Sequence, residues 1–235
     1  ARSVEPDLIL FADTGAEKPH TYEHISAVQK WLGSIGWPPI QIVKKVDRNG
    51  EVLTIEQHCI NNSSLPSIAY GFKSCSLKFK VAPQDKFMNS NVEAKAVWAT
   101  GQKVTKFIGY DFDESRRVER SIEISKTDKK YSYEHPLFNW GWDREKCVNE
   151  IEKAGLPVVG KSACYFCPSS KLNEIRQLNE QYPELALRAV EIEKNAKLTS
   201  VKGLGRRFAW SDVLAQDDMF NGFDRDWDLP CECMQ

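Results

Sequence analysis

The apolar positions fall first as a continuous run, Leu8-Ile9-Leu10-Phe11-Ala12 behind Asp7. That is the pattern of a strand buried on both faces in a parallel sheet. It ends in Asp13-Thr14-Gly15. From Thr21 to Ser34 the period changes, with Ile25, Val28 and Leu32 on one face, which predicts an amphipathic helix closed by Gly33 and Gly36. Ile40 to Val46 reads as the next strand. Strand, helix and strand within about forty residues form a βαβ unit with a right-handed crossover. Open parallel sheets bind ligands beyond the carboxyl ends of their strands, where Asp13, Thr14 and Gly15 stand. On the residues alone, Asp-Thr-Gly also reads as a plain turn with a capping aspartate.

Asp47-Arg48-Asn49-Gly50 is a turn, Leu53 to Cys59 is helix-like, and a polar loop runs through Ser67. Tyr70 to Lys80 reads as irregular, basic and aromatic, its lysines either meeting phosphates or coating a surface. A helix is predicted over Val92–Thr100 and a strand over Lys103–Tyr110. Beyond that strand lie Asp111, Asp113, Glu114, Arg116 and Arg117, either a second charged strand end on the rim of Asp13 or a solvated cluster. Pro136-Leu137-Phe138 reads as a short strand or edge. Asn139 to Asp143 caps a helix carrying Cys147, Ile151 and Ala154, and its tryptophans read as core. After Cys164-Tyr165-Phe166-Cys167-Pro168, with Ser169 and Ser170 as caps, come helices over Lys171–Glu180 and Pro183–Asn195. Lys202 to Arg207 is a glycine–arginine loop, anion-contacting or a surface turn. Trp210–Leu214 is a short helix, and an acidic tail follows.

Composition narrows the class. The chain has 235 residues, 41% hydrophobic and 28% charged, with net charge −1, so it is globular and carries no global field for nucleic acid. No apolar run is long enough to span a bilayer and no signal peptide opens the chain, so the expected compartment is the cytosol and no membrane partner is expected. Seven cysteines there read as ligands or redox thiols. Cys-x-x-Cys-Pro supplies two thiolates of a metal or iron–sulfur site, with Cys75 and Cys147 as candidates to complete it. Thiolate ligation suits a [4Fe–4S] cluster or structural Zn2+.

The order Phe11-Ala12-Asp13-Thr14-Gly15, Pro19-His20-Thr21-Tyr22, Cys75, Gly109-Tyr110-Asp111 and Cys164-x-x-Cys167-Pro168 resembles the phosphoadenosine phosphosulfate reductase-like branch of the PP-loop (adenine nucleotide alpha hydrolase-like) superfamily, most nearly its phage and prophage members. The resemblance covers roughly Asp7 to Trp210. It implies an α/β fold: a five-stranded, mainly parallel Rossmann-like sheet between helices, then a helical cysteine-bearing region. ATP or a sulfonucleotide would bind at the carboxyl-end crevice, Mg2+ being held by phosphates. Asp13, Thr14 and Gly15 would lie near that nucleotide, with Gly109, Asp111, Arg116 and Arg117 lining the same crevice. Cys75, Cys147, Cys164 and Cys167 match the four-cysteine arrangement of the iron–sulfur members. Cys233, in the tail, is a candidate nucleophile only through its resemblance to the C-terminal cysteine of sulfonucleotide reductases, and nearby aspartates raise a thiol's pKa.

This sequence departs from the family in lacking the glycine-rich S-G-G-x-D-S loop, whose amides hold pyrophosphate at a helix N-terminus. The expectation is that a first strand and that loop are missing, which would leave the strand at Asp7–Ala12 with an unpaired edge and nucleotide binding poor. Three segments are expected: a nucleotide-binding domain at 1–135, a helical cysteine region at 136–210 and the tail at 211–235. The function expected is nucleotide-dependent sulfur handling, by sulfonucleotide reduction or by ATP-driven adenylation and sulfur transfer. A tRNA or DNA acceptor and a homodimer both remain open. The alternative is a non-catalytic, zinc-stabilised module binding nucleic acid through Lys73, Lys78, Lys80, Arg206 and Arg207.

Overall fold

The computed structural model describes residues 5–158 and 160–219. The chain is α/β, rich in helix, with two small parallel sheets. In order come β1 (Ile9–Asp13), α1 (Pro19–Ser34), β2 (Ile40–Lys44) and α2 (Ile55–Asn61). A 3-10 turn (Ser67–Tyr70), α3 (Ser74–Ser76), a π turn (Leu77–Val81), α4 (Ala82–Ser90) and α5 (Val92–Ala99) follow. Then come β3 (Val104–Phe107), a 3-10 turn (Phe112–Glu114), α6 (Ser115–Thr127), β4 (Tyr131–Glu134), α7 (Pro136–Asn139) and α8 (Arg144–Lys153). The series closes with α9 (Leu172–Gln181), α10 (Pro183–Asn195) and α11 (Trp210–Met219).

The expected βαβ unit is present. β1 pairs in parallel with β2, Ile9 opposite Ile40 and Asp13 opposite Lys44. β3 pairs in parallel with β4, Val104 opposite Tyr131. Among the described residues these remain two separate two-stranded sheets and not one five-stranded sheet.

Three local expectations are corrected. The stretch expected to be irregular from Tyr70 is helical from Ser74 to Ser90, with a π turn inside it. That turn resets the 3.6-residue period and hides the helix from periodicity. Pro136-Leu137-Phe138 is a helical turn, since proline at the first position favours helix initiation; the strand lies just before it, at Tyr131–Glu134. The start of α9 is held by Glu174, whose carboxylate accepts the Lys171 N–H at 2.9 Å, and not by Ser169 or Ser170.

The chain forms two compact units. The first runs to Ile55 and resumes at Ser74–Cys164; the second joins Glu56–Lys73 to the chain from Tyr165 on. The first unit therefore extends past the boundary expected at 135, and the second is discontinuous. Residues 220–235, with Cys233, lie outside the described residues. No helix of the described residues is long and apolar enough to cross a membrane.

In the first unit, buried Met88, Ala94 and Tyr131 gather Leu8, Leu10, Phe87, Trp98, Val104 and Tyr133 around them. Trp98 meets Tyr131 edge to face at 5.6 Å, and its indole N–H donates to the Lys130 carbonyl at 2.8 Å. In the second unit the core is Phe166, Ile175, Leu178, Ala186, Ala189, Ile192, Leu204 and Trp210. Helical spacing along α9 and α10 turns these residues to one side. Each large apolar side chain fully buried there contributes about 1.5–3 kcal/mol.

Glu193 sits in that core with 4% of its surface exposed. Its Oε2 accepts the N–H groups of Leu204 (2.7 Å) and Trp210 (2.9 Å), and its Oε1 accepts the N–H and hydroxyl of Ser211 (3.0 and 2.9 Å). A carboxylate thus caps the first turn of α11 and ties the glycine–arginine loop to it. A Cβ on Gly203 would lie 2.4 Å from Glu193 Oε2 and 2.7 Å from Ala209 Cα, so the glycine is there for close packing. Arg206, at φ +63°, donates its Nε–H to the Ile68 carbonyl at 2.9 Å.

Candidate functional site

The carboxyl end of β1 carries a dense polar network. Asp13 is buried, and its Oδ1 accepts the Gly15 N–H at 2.7 Å and the Tyr22 hydroxyl at 2.8 Å. Lys44 Nζ, from the end of β2, stands 3.1 Å from Asp13 Oδ2. Burial, and then the bond to Asp13, push the Tyr22 phenol well above its ordinary pKa, so the phenol stays protonated and donates. Gly15 turns the chain at φ +72°, and a Cβ there would lie 2.4 Å from Thr54 Cγ2.

A second layer centres on Glu17, whose side chain is completely enclosed while its partner Lys80 is 38% exposed, at 3.0 Å. Thr14 Oγ1 donates to Glu17 Oε1 at 3.2 Å, and the Ser162 hydroxyl donates to Oε2 at 3.4 Å. An antiparallel bridge between Glu17 and Cys164 brings the cysteine to the strand end, its Sγ 3.3 Å from Thr14 Oγ1. Lys44 and Lys80 both reach outward from buried carboxylates, which leaves their ammonium groups partly open to an anion.

The other strand end, beyond β3, is organised differently. Asp111 Oδ1 accepts the Asp113 N–H at 3.2 Å, and Glu114 reaches back to the Asp111 N–H, so this pair caps the 3-10 turn. Arg117 is ion-paired with Glu114, and its guanidinium lies 4.3 Å from the centre of the Tyr110 ring. Arg116 is exposed. Gly109 is in ordinary contact with Leu137, 3.7 Å from the position of a Cβ. Burial, and then the Asp111 carboxylate, raise the pKa of the Cys147 thiol.

Two groups of the expected site residues are brought together. Asp13, Thr14, Gly15 and Cys164 come together. Gly109, Asp111 and Arg117 share the β3 end with Cys147. Cys75 lies in α3, and Cys167 belongs to the second unit. The surroundings of Cys147 favour a thiol over the thiolate that ligation requires. Among the described residues no group of three or more His, Cys, Asp or Glu is placed to hold a metal ion.

Sequence reasoning missed Glu17, Tyr22, Lys44 and Ser162, and it read Lys80 as part of a basic stretch and as a nucleic-acid contact, not as the partner of Glu17. The available signal was position. Glu17 follows a strand's carboxyl end by four residues, and Lys44 ends the strand that pairs with it. No protein-family model, no curated protein and no solved structure matches the chain.

Proposed function

We propose that the chain is a nucleotide-dependent, sulfur-handling protein of the phosphoadenosine phosphosulfate reductase-like, PP-loop type, working at the carboxyl end of β1. The observation that carries this reading is the 3.3 Å contact between Thr14 Oγ1 and Cys164 Sγ. It puts a thiol at a parallel-strand terminus, where α/β sheets bind ligands. Lys44 and Lys80 would face the anionic groups of the nucleotide. Asp13 and Glu17 hold those lysines in place, and Tyr22 and Ser162 fix the carboxylates. A sulfur-bearing substrate seated there would meet Cys164.

The same reading takes β2–β1 and β3–β4 as two flanks of one Rossmann-like parallel sheet. In its support, both pairs are parallel, and both send side chains to the core formed under α4 and α5. The alternative nucleic-acid module has less behind it, because Arg206, one of the cations it relies on, is engaged with the Ile68 carbonyl.

Amide NMR during titration with adenosine phosphosulfate or ATP tests the proposal. With no glycine-rich loop in the sequence, binding is expected only at about millimolar nucleotide, where ΔG is about −4 kcal/mol. Shifts at residues 13–17, 44, 80 and 162–164, lost in Asp13→Ala, are the expected result. Shifts elsewhere, or none, refute it. Metal analysis of anaerobically purified protein tests the four-thiolate proposal separately. About four irons per chain would place a cluster on the cysteines, zinc would favour the structural alternative, and neither metal would dismiss both.

A further inference from the structure

His135 follows β4 directly and precedes Pro136, the first residue of α7. It is 4% exposed, and its enclosed Nε2 has no hydrogen-bond partner among the described residues. Such a buried polar atom calls for an explanation. The imidazole is stacked parallel to the Tyr110 ring with a lateral offset, centroids 5.6 Å apart and planes within 8°. Tyr110 is the residue between Gly109 and Asp111, just past β3. The Ile108 N–H to Glu134 carbonyl bond, at 2.9 Å, joins the two strand ends. Past it, the ring stack and the Phe112 N–H to Trp142 carbonyl bond (2.8 Å) tie this corner together.

The charges around the imidazole decide what a proton does. From α6, the Arg117 guanidinium already lies over the Tyr110 ring. Glu114, the nearby carboxylate, is committed to Arg117. Glu134, from β4, is exposed, so water screens it. A protonated His135 would be a second cation beside one phenol ring, with an Nε2–H that has no acceptor. In an opened corner the same imidazolium would be hydrated. We infer that His135 is a proton-operated latch: its neutral ring holds the Tyr110 strand end closed, and protonation releases residues 109–111 with it.

The direction of its titration agrees, since burial outweighs the attraction of Glu134 and lowers the pKa of His135. The proton then binds the open form more tightly. Acidification below the ordinary histidine value of about 6.5 shifts the population toward opening. Within that window each pH unit changes the open-to-closed ratio by up to about tenfold. The released segment carries Asp111, whose carboxylate also raises the Cys147 pKa, so opening would relax that thiol as well.

Hydrogen exchange of the whole chain between about pH 7.5 and 5, corrected for intrinsic rates, reads the latch across the ordinary histidine pKa. Protection across 108–117 and 135–142 is expected to fall with acid by up to about tenfold per unit, while residues 9–44 hold theirs. His135→Phe keeps a stacking ring without a titrating group and should flatten the response. Tyr110→Leu should leave the corner open at every pH. An acid response that survives His135→Phe, or its absence in the unsubstituted protein, overturns the inference. Should His135→Phe fail to fold, imidazole NMR of the intact chain decides. The expected result is a His135 titration below the ordinary value that moves the Tyr110 ring resonances in step. Titration at the ordinary value, or without Tyr110 following, overturns the latch. None of these readouts depends on nucleotide binding, so this test and that of the proposed function fail separately.

Discussion

Substituting Glu193 by glutamine exchanges one carboxylate oxygen for an NH2 and leaves the side-chain volume unchanged. All four of its partners are donors, three backbone N–H groups and one hydroxyl, and only the hydroxyl can turn to accept. With the NH2 on the Leu204 and Trp210 side, two N–H groups lose their acceptor. With it on the Ser211 side, one does. The better orientation leaves one enclosed N–H facing another, at about 1–3 kcal/mol. It also removes the charge from the two surviving bonds, at about 1 kcal/mol each. The sum is about 3–5 kcal/mol, close to what Glu193→Ala should cost by losing all four bonds. Near-equality of Gln and Ala is the diagnostic result. Urea unfolding followed by hydrogen exchange on α9–α11 peptides measures it, with the first unit as internal control. At an m-value of about 2 kcal/mol/M the midpoint falls by roughly 1.5–2.5 M. A Gln variant that loses less than about 1 kcal/mol would show that Glu193 only fills space.

Three further outcomes are expected. Lys80→Ala leaves the enclosed Glu17 carboxylate with the hydroxyl donors Thr14 and Ser162. Because Lys80 is 38% exposed, the loss should be about 1–3 kcal/mol, below that of a fully buried pair. Adding Glu17→Gln should recover more than half of it in thermal unfolding, and no recovery counts against a buried charge as the cause. Gly15→Ala forces a side chain onto φ +72° and into Thr54, and should lower stability by about 1–3 kcal/mol in denaturant titration.

The Asp128 carboxyl gives the pH dependence. Burial works to raise its pKa, but it is outweighed by bonds from the Lys130 N–H, the Tyr133 hydroxyl and the Tyr131 N–H and by the charge of Lys106, so the net direction is down. Its contribution is complete above the ordinary carboxylate value of about 3.9 and is lost as pH falls through the lower folded value. Asp128→Asn should flatten that acid limb of stability, and an unchanged limb would assign it to other carboxylates.

What could be read from the sequence was local. The apolar run before Asp13 and the helical spacing from Thr21 to Ser34 define β1 and α1 because one period persists through each. Pro183 marks the start of α10 because proline suits a helix's first position. The π turn at Leu77–Val81 and the polar alternation Tyr131-Ser132-Tyr133-Glu134 carry no comparable signal. The site was half legible. Asp13 stands where a strand end predicts it, whereas the approach of Cys164 to Thr14 spans 150 positions and depends on a single bridge with Glu17. Likewise Gly203 and Gly205 look like flexible hinges until the Glu193 carboxylate and the Phe208 ring are found filling the space a Cβ would need.

The discontinuity of the second unit has a consequence for synthesis. Glu56, Ile60 and Ile68 are held by Arg188, Asn195 and Arg206, partners 132, 135 and 138 positions further on. At about 5–20 residues per second on the ribosome, the early segment waits roughly 7–28 s for them. During that time Leu65 and Ala69, buried in the finished unit, lack the part of that unit still to be made, a period in which a chaperone could act. No single cut can separate the two units intact, so expressing either alone requires a designed splice across 56–73.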